Sequence, residues 1–307
     1  MLTPGILANG KRACIQLARV RACSESRAAK NRPPHPFFVM RIAVLITSFN
    51  RKQKTLACLT SLFASPPSCE LEVFLLDDAS KDGTPEAVAA SFPQVHLLAG
   101  DGSSFWSGGM RLAWKAAAKE HFDAFVLLND DVKLDLDAFQ RLVNWFERLG
   151  SDTLLGGPVR SSDTGAYTYG GNQRAKFHPW KFELAHPGDS EPVEVAVLNG
   201  NIMLIPDRVY QVIGNFPEYL IHQGGDFVYS LRAGRAGFKS LLLPGSYGVC
   251  DENPVQPLAR GFKGLKRALA PKNLPVSYTM PLYKELAGVF WPFWWLVPYV
   301  RAFVVGF

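Results

Sequence analysis

The chain has 307 residues, which is enough for one large domain or two small ones, and its composition is ordinary for a globular protein. Its formal net charge of +6 arises in residues 1–40, which carry seven basic side chains and one acid, whereas the remainder has equal numbers of both. A neutral body lacks the basic surface that nucleic acid requires, so we exclude nucleic acid as a partner. The five cysteines are scattered, without C-x-x-C or metal-ligand spacing, and no secretory signal is visible, which favours the cytosol.

Residues 1–40 are predicted to form a disordered leader. They contain the sequence PPHP at 33–36 and lack a long apolar run. Met40 stands immediately before the first strand-like run, so our preferred interpretation is that translation starts there and that the leader comes from an overlong gene assignment. A transit peptide is the alternative, because the segment is basic and poor in acids.

Apolar runs of strand length alternate with helical patterns over residues 41–255, which we predict to be one domain. Taken in chain order, the patterns predict strands at 42–46, 71–76, 95–98, 125–128, 154–159, 193–198, 202–205 and 240–243. They predict helices at 53–64, from 84 onward, at 110–120, 136–149 and 226–236, with a glycine-rich loop at 100–109 and a loop or hairpin insertion at 167–185. Strand–helix–strand units at this spacing predict an α/β fold with a doubly wound, mostly parallel sheet.

The C-terminal segment, residues 256–307, is predicted to contact a membrane surface. Residues 289–307 contain three tryptophans and one tyrosine, with Arg301 as the single charge. Just upstream lie Lys263, Lys266, Arg267 and Lys272. Aromatic side chains favour the membrane interface, and basic side chains favour anionic lipid. The alternatives are an arm packed against the domain or a second subunit, and a true span interrupted by Pro292 and Pro298.

Polar side chains follow three of the buried strands: TSFNR at 47–51, DDASKD at 77–82 and NDD at 129–131. The carboxyl ends of parallel strands meet at one edge of a sheet, so we expect the three clusters to converge. Oxygen ligands on a short loop suit Mg²⁺ or Mn²⁺ shared with a phosphate, although acidic residues also cap helices. The glycine-rich loop matches neither G-x-G-x-x-G nor a Walker motif, which disfavours a dehydrogenase or a P-loop protein.

From Arg41 to about Pro244 these motifs resemble a family 2 glycosyltransferase with the GT-A fold, and the pattern is most similar to rhamnosyltransferase-like members. TSFNR is similar to the family's donor-binding turn, LDDASKDGT at 76–84 to its D-D-x-S-x-D-G-T, and LNDD at 128–131 to its D-x-D position. LNGNIMLIP at 198–206 resembles the acceptor-side core, and Gly225-Asp226 aligns with the family's E-D pair. The resemblance implies a Rossmann-like nucleotide-binding half, an acceptor half and a helical C-terminal tail that associates with the membrane.

The resemblance also implies roles for individual residues. Asp226 would be the general base for the acceptor hydroxyl, and Asp131 the main protein ligand of Mn²⁺ or Mg²⁺. The implied donor-binding residues are Thr47, Asn50, Arg51, Asp77, Asp78, Gly109, Asn129 and Asp130. The candidate acceptor-binding residues are Trp106, Asn199, Gly200 and His222. Trp106 and His222 are chosen by their positions in the sequence. The alternative for Trp106 is an aromatic residue of the core, and the alternative for His222 is a structural histidine.

The sequence departs from the family pattern at several positions. Gly225 replaces a glutamate, Val228 and Pro217 replace aspartates, and the stretch 248–253 lacks the late histidine that often binds the metal. These changes leave Asp226 in place but put the acceptor specificity and any third metal ligand in doubt.

Together these patterns predict an inverting, metal-dependent glycosyltransferase. It would move a sugar from a UDP- or dTDP-linked donor to a saccharide or polyprenyl-linked acceptor in surface polysaccharide synthesis, at the cytoplasmic face of the inner membrane. A sugar nucleotidyltransferase is one alternative, disfavoured because no glycine- and basic-rich loop follows the first strand. A catalytically inactive saccharide-binding subunit is the other, disfavoured by the presence of Asp131 and Asp226.

Overall fold

The computed structural model describes residues 39–176, 182–222, 224–252 and 260–269, together with Glu285, Val300, Phe303 and Val304. The chain divides into two units, Met1–Val39 and Met40–Phe307, and the strands and helices described here belong to the second. The described residues do not include the predicted leader, apart from its last two residues. They also leave out most of the predicted membrane-contact segment. Within the part that is described, no helix has the length and apolar character needed to cross a membrane.

The described strands and helices alternate through the first half of the chain and become shorter in the second. The strands are β1 Arg41–Ser48, β2 Glu70–Asp77, β3 His96–Ala99, β4 Ala124–Leu128, β5 Lys133–Leu134, β6 Thr153–Gly156, β7 Val159–Arg160, β8 Tyr167–Tyr169, β9 Gly171–Arg174, β10 Phe182–Leu184, β11 Val193–Glu194, β12 Val197–Leu198, β13 Ile202–Pro206, β14 Lys239–Leu242 and β15 Gly248–Val249. The helices are α1 Lys52–Phe63, α2 Thr84–Ser91, α3 Phe105–Ala117, α4 Ala138–Leu149, α5 Asp207–Ile213, α6 Gly225–Arg235 and α7 Gly261–Leu269.

An eight-stranded sheet organises the fold, with the strand order β11-β14-β6-β13-β4-β1-β2-β3. Strands β1 to β4 pair in parallel, and β14 pairs in parallel with β6. Strand β13 runs antiparallel between β4 and β6. The prediction of an α/β fold with a mostly parallel central sheet is confirmed. Strand β1 is buried along almost its whole length, as expected for a parallel strand covered on both faces.

Helices cover both faces of this sheet and give two separate apolar layers. Leu59 of α1 and Leu142 of α4 belong to the layer on one face. Trp114 of α3 and Tyr229 of α6 belong to the layer on the other face, where the Trp114 ring lies 5.2 Å from the Tyr229 ring. The α3 and α6 layer matters for function, because the N-termini of both helices reach the carboxyl edge of the sheet.

The predicted loop at 100–109 is wrong over its second half, because α3 begins at Phe105 rather than near residue 110. Its glycines let the helix approach the sheet closely. A Cβ atom added at Gly109 would lie 2.9 Å from Cβ of Thr47 and 3.1 Å from Cδ2 of Leu76. This helix–sheet packing outweighs the low helix propensity of glycine, which is why the composition misled the prediction.

The insertion predicted at 167–185 consists of short strands in two small sheets. One sheet has the order β10-β9-β12 and the other has the order β5-β15-β7-β8. In the second, β15 pairs with β5, which follows directly after residues 129–131. This pairing brings the chain around Cys250 back to the carboxyl end of β4.

Candidate active site

The three polar clusters converge at one edge of the sheet, as the strand pattern predicted. Nη1 of Arg51, which follows β1, donates to Oδ1 of Asp130 at 3.2 Å and to Oδ2 of Asp131 at 2.9 Å, beyond the end of β4. Nζ of Lys54 lies 3.8 Å from the same Asp131 oxygen. The Arg51 guanidinium therefore faces the carboxylates of both Asp130 and Asp131.

Asn50 joins the loop after β1 to the loop after β2. Its backbone N–H donates to Oγ of Ser80 at 2.8 Å, and its Oδ1 accepts from the backbone N–H of Lys81 at 2.7 Å. Asn50 has a left-handed φ of 51°, which asparagine tolerates better than most residues. In the described residues its contacts are with the protein, so Asn50 shapes the edge of the site.

The two acids at the end of β2 differ in their surroundings. Oδ2 of Asp77 accepts from the backbone N–H of Ser80 at 2.9 Å, while its Oδ1 is buried without a partner among the described residues. Asp78 accepts backbone N–H groups from Gly102, Ser104 and Phe105 at 2.9–3.0 Å. Asp78 therefore folds the loop that leads into α3, and it is the acid of this pair that lines a cavity.

Asp130, in the loop after β4, is a buried acid. Burial raises its pKa to about 6, although the neighbouring Arg51 guanidinium opposes that shift. Oδ2 of Asp130 also lies 3.4 Å from the hydroxyl of Thr55, on α1. Asp130 is thus tied to the protein on both oxygens.

Trp106, in the first turn of α3, connects this loop to the opposite wall of the site. Its indole Nε1 donates to Oδ1 of Asn129 at 2.7 Å. A Cβ atom added at Gly200 would lie only 2.5 Å from the Trp106 ring, so the ring packs directly on that backbone. Trp106 lines both cavities and also packs against the apolar layer of α3 and α6.

Asp226 lies in the first turn of α6, which begins after Gly224 in a left-handed conformation. Its Oδ2 accepts from the backbone N–H of Gly200 at 2.8 Å, and its Oδ1 accepts from the backbone N–H of Phe227 at 2.9 Å. Burial raises the pKa of Asp226, and these two hydrogen bonds oppose the shift. The carboxylate is fixed in position but is a stronger proton acceptor than an exposed aspartate.

Two adjoining cavities meet at this edge of the sheet. The first cavity, of about 450 Å³, contains Asp226 and Asp131, and the second, of about 380 Å³, contains Asp78 and Thr47. Both are lined by Arg51, Trp106, Asp130 and His222. The first cavity is also lined by Asn129, Asn199 and Gly200. Of the predicted site residues, Asn50, Asp77 and Gly109 line neither cavity, and Gly109 packs on the sheet.

His222 and Asn199 make contacts with other residues of the protein that the sequence did not predict. The His222 ring lies on the Phe105 ring, with 3.6 Å between centroids, and partial burial lowers its pKa. Oδ1 of Asn199 accepts from the backbone N–H of Gly170 at 3.2 Å and from Nδ2 of Asn172 at 2.9 Å. Asn199 thereby fixes the turn before Gly200.

Sequence reasoning missed several residues at the site, among them Phe49, Lys54, Phe105 and Cys250. Phe49 and Phe105 line the second cavity and are about half exposed. For Phe105 the signal is its left-handed φ of 51°, which sequence does not reveal. Cys250 reaches the site only through the pairing of β15 with β5, which joins residues more than 100 positions apart.

Asp131 is an acid at this edge with an oxygen available to a metal ion. Among the described residues, no group of three His, Cys, Asp or Glu side chains could hold one. The side chain of Asp131 is 6% exposed. Its Oδ1 lies 3.5 Å from Sγ of Cys250, and its Oδ2 accepts from Arg51. This arrangement fits an ion that takes few protein ligands and completes its shell with water and substrate phosphate.

Solved structures of glycosyltransferases share the fold. The mannosyltransferase PcManGT from Pyrobaculum calidifontis, in complex with GDP-Man and Mn²⁺, is 15% identical with a TM-score of 0.51, covering 95% of this chain and 78% of its own. TarS 1–349 of S. aureus, in complex with UDP-GlcNAc, is 16% identical with a TM-score of 0.51, covering 71% of this chain and 60% of its own. This chain therefore spans less than two thirds of that TarS fragment. At these identities the likeness shows the fold, which is the GT-A fold.

The sequence of residues 43–202 matches the model of the family described as Glycosyl transferase family 2. The match covers more than half of the chain, which therefore belongs to this family and is a glycosyltransferase. No curated protein sequence matches it. Asp226 and Cys250 lie beyond the matched range, so their roles depend on the geometry of the site.

Proposed function

We propose that this glycosyltransferase inverts the anomeric centre of a nucleotide sugar and uses Asp226 as its general base. The observation that supports this most is that Asp226 and Asp131 line the same cavity from opposite elements, α6 and the loop after β4. Inverting transfer needs a proton acceptor on one side of the sugar and stabilisation of the leaving diphosphate on the other. The cavity provides both.

Asp226 suits the role of a base because it is held rigidly and is destabilised as an anion. The backbone N–H groups of Gly200 and Phe227 orient the carboxylate, and burial raises its pKa. The remaining lone pairs can accept the proton of an acceptor hydroxyl as the oxygen bonds to the anomeric carbon and the nucleoside diphosphate departs. A carboxylate with a raised pKa accepts that proton more readily.

The donor is proposed to be a UDP- or dTDP-linked sugar whose nucleoside occupies the second cavity. Phe49 and Phe105 offer rings for a base, and Oδ1 of Asp78 accepts a single N–H, which leaves it a further lone pair. This free lone pair on Oδ1 of Asp78 can accept the single ring N–H of uracil or thymine. Two observations support a UDP- or dTDP-linked donor: the complex of TarS with UDP-GlcNAc, and the rhamnosyltransferase-like sequence pattern. Because PcManGT was solved with GDP-Man, GDP-sugars should also be tested as donors.

The leaving diphosphate is proposed to lie between Arg51, Lys54 and a divalent ion held by Asp131. Mn²⁺ or Mg²⁺ would supply a positive charge that stabilises the diphosphate as its bond to the sugar breaks. Asn129 and Asp130 belong to the same loop as Asp131. The presence of Mn²⁺ in the PcManGT complex supports a divalent metal ion as the cofactor. Arg51 would orient Asp131 through Oδ2.

The acceptor is proposed to be a saccharide, free or linked to a polyprenyl lipid, at the cytoplasmic face of the inner membrane. The support comes from α7, where Phe262 is 81% exposed and Lys263 and Lys266 are also exposed. Phe303, near the chain end, lies with its ring 5.3 Å from that of Phe262 and is 43% exposed. An apolar and basic surface of this kind fits anionic lipid. We propose residues 41–255 as the catalytic domain and 256–307 as the membrane-contact segment.

A donor panel tests the proposal. The full chain would be incubated with UDP-, dTDP- and GDP-sugars, with Mn²⁺, Mg²⁺ or EDTA, and nucleoside diphosphate release would be measured. We expect release with a UDP or dTDP donor, abolished by EDTA, and a product of inverted configuration by NMR. Release of inorganic diphosphate from a nucleoside triphosphate and a sugar phosphate would instead identify a nucleotidyltransferase. No release from any donor would favour a saccharide-binding subunit.

A further inference from the structure

The two oxygens of the Asp131 carboxylate have different kinds of partner. Oδ2 is held by Nη1 of Arg51 at 2.9 Å and faces Nζ of Lys54. Oδ1 is directed at Sγ of Cys250, 3.5 Å away, and no N–H or O–H group among the described residues donates to it. The Asp131 side chain is 94% buried, so this oxygen lacks the strong donor that a buried carboxylate normally has.

The separation of these two atoms matches that of two ligands on one metal ion. For Zn²⁺, with a metal–sulfur distance of about 2.3 Å and a metal–oxygen distance of about 2.0 Å, tetrahedral ligands lie about 3.5 Å apart. We propose that Cys250 is a second protein ligand, beside Asp131, of the divalent ion that the proposed function requires. The ion would lie between Oδ1 and Sγ, while Arg51 keeps its hydrogen bond to Oδ2.

The fold holds Cys250 rigidly at this position. Its backbone N–H donates to the carbonyl oxygen of Arg160 at 2.9 Å, and its own carbonyl oxygen accepts from the hydroxyl of Thr168 at 2.8 Å. Nδ2 of Asn201, which lines the first cavity, lies 3.4 Å from Sγ and orients the sulfur. These three hydrogen bonds fix Cys250, which is 3% exposed.

A thiolate beside a carboxylate changes which ions the site prefers. Thiolate ligands favour softer divalent ions, so the site takes Zn²⁺, Co²⁺ or Cd²⁺ more tightly than it takes Mg²⁺. Binding displaces the thiol proton, which passes to the solvent, and the metal–sulfur bond replaces the S–H bond without oxidation or reduction. Without an ion, the same atoms form a weak S–H···O contact.

Cadmium titration of the full-length chain tests this ligand directly, in the absence of any donor. The parent protein carries Cys14→Ser, Cys23→Ser and Cys69→Ser, so that Cys58 and Cys250 remain. We expect the ultraviolet charge-transfer band of a cadmium–thiolate bond, saturating at one ion per chain. Cys250→Ser should abolish the band, and the matched change Cys58→Ser should keep it.

Asp131→Asn should weaken Cd²⁺ binding by about tenfold or more, because it removes the oxygen ligand. If Cys250→Ser fails to fold by circular dichroism, Cys250→His serves in its place. The Cys250→His variant should still bind one ion in calorimetry, but it should lack the cadmium–thiolate band. Its preference among metal ions should shift toward Mn²⁺. Absence of the band in the parent protein, or its persistence in the Cys250 variants, overturns the ligand assignment. Donor turnover is read separately, so a band without turnover overturns only the proposed function.

Discussion

The indole N–H of Trp106 donates to Oδ1 of Asn129 at 2.7 Å, which connects the N-terminus of α3 to the loop that carries Asp131. The Cζ2 and Cη2 atoms of the Trp106 ring pack on Gly200, whose N–H donates to Asp226. A continuous set of contacts therefore runs from the proposed metal loop to the proposed base. We infer that Trp106 sets the distance between the two halves of the reaction.

Trp106→Phe should remove the N–H that Asn129 accepts, together with the ring atoms Cζ2 and Cη2 that pack on Gly200. A hydrogen bond of this kind is worth about 0.5–1.5 kcal/mol, so we expect kcat/KM to fall by about three- to tenfold. Steady-state release of nucleoside diphosphate measures the change. Trp145→Phe, on α4 and outside both cavities, is the control and should leave kcat/KM unchanged. An unaltered rate in Trp106→Phe would show that the indole N–H has no part in turnover.

Gly200→Ala should damage both activity and stability. The added methyl group would lie 2.5 Å from the Trp106 ring and would push the N–H of residue 200 away from Asp226. Such overpacking costs about 1–3 kcal/mol of unfolding free energy. Gly234→Ala is the matched control, because nothing lies within 4 Å of its Cβ position on α6 and alanine favours a helix. Urea unfolding should show the first variant destabilised and the second unchanged or stabilised.

The sequence predicted the sheet and the convergence of the polar clusters, because buried strands and the polar residues after them follow from local patterns. It did not predict the start of α3 at Phe105, because the contact of Gly109 with Thr47 comes from tertiary packing. It also missed Cys250, whose position depends on a strand pairing between distant parts of the chain. Local patterns could find the acids of the site and Arg51, but not Lys54 and Cys250, which also contact Asp131.

Glu285→Gln should weaken the attachment of the chain near residue 285 to α6. Its carboxylate accepts from Arg232, Arg235 and Tyr219 and is largely buried. Hydrogen bonds to charged groups are worth about 1.5–3 kcal/mol, so we expect a loss of about that size in unfolding free energy at pH 7. Glu218→Gln, whose side chain has no ion pair among the described residues, is the control.

The effect of Glu285→Gln should depend on pH in a defined direction. Burial opposes ionisation of Glu285, but the hydrogen bonds from Arg232 and Arg235 outweigh it and lower its pKa. The stabilisation is therefore complete above the pKa of unfolded glutamate and is lost as the pH falls through the lower folded pKa. Urea unfolding at a series of pH values should show the variant and the wild type converging in acid. A difference that stays constant would rule out the ion pair as its source.

Phe262→Ser should reduce binding to vesicles that contain anionic lipid. Phe262 is 81% exposed beside Lys263, and its side chain would enter the interfacial region of the bilayer. Full burial of a phenylalanine side chain is worth about 1.5–3 kcal/mol, so we expect affinity to fall by about tenfold or more in co-sedimentation. Leu136→Ser, another strongly exposed apolar residue, is the control and should bind normally. Equal binding by all three proteins would contradict the proposed membrane contact.

Turnover and donor binding in Asp226→Asn test the central claim most directly. Asparagine keeps an oxygen to accept the N–H of Gly200 but cannot take a proton from the acceptor hydroxyl. With the donor and metal found in the panel above, we predict that kcat falls by about 10²–10⁴-fold while the donor Kd, measured by calorimetry, stays within about twofold. A variant that binds the donor and turns over at the wild-type rate would contradict the assignment of Asp226 as the base.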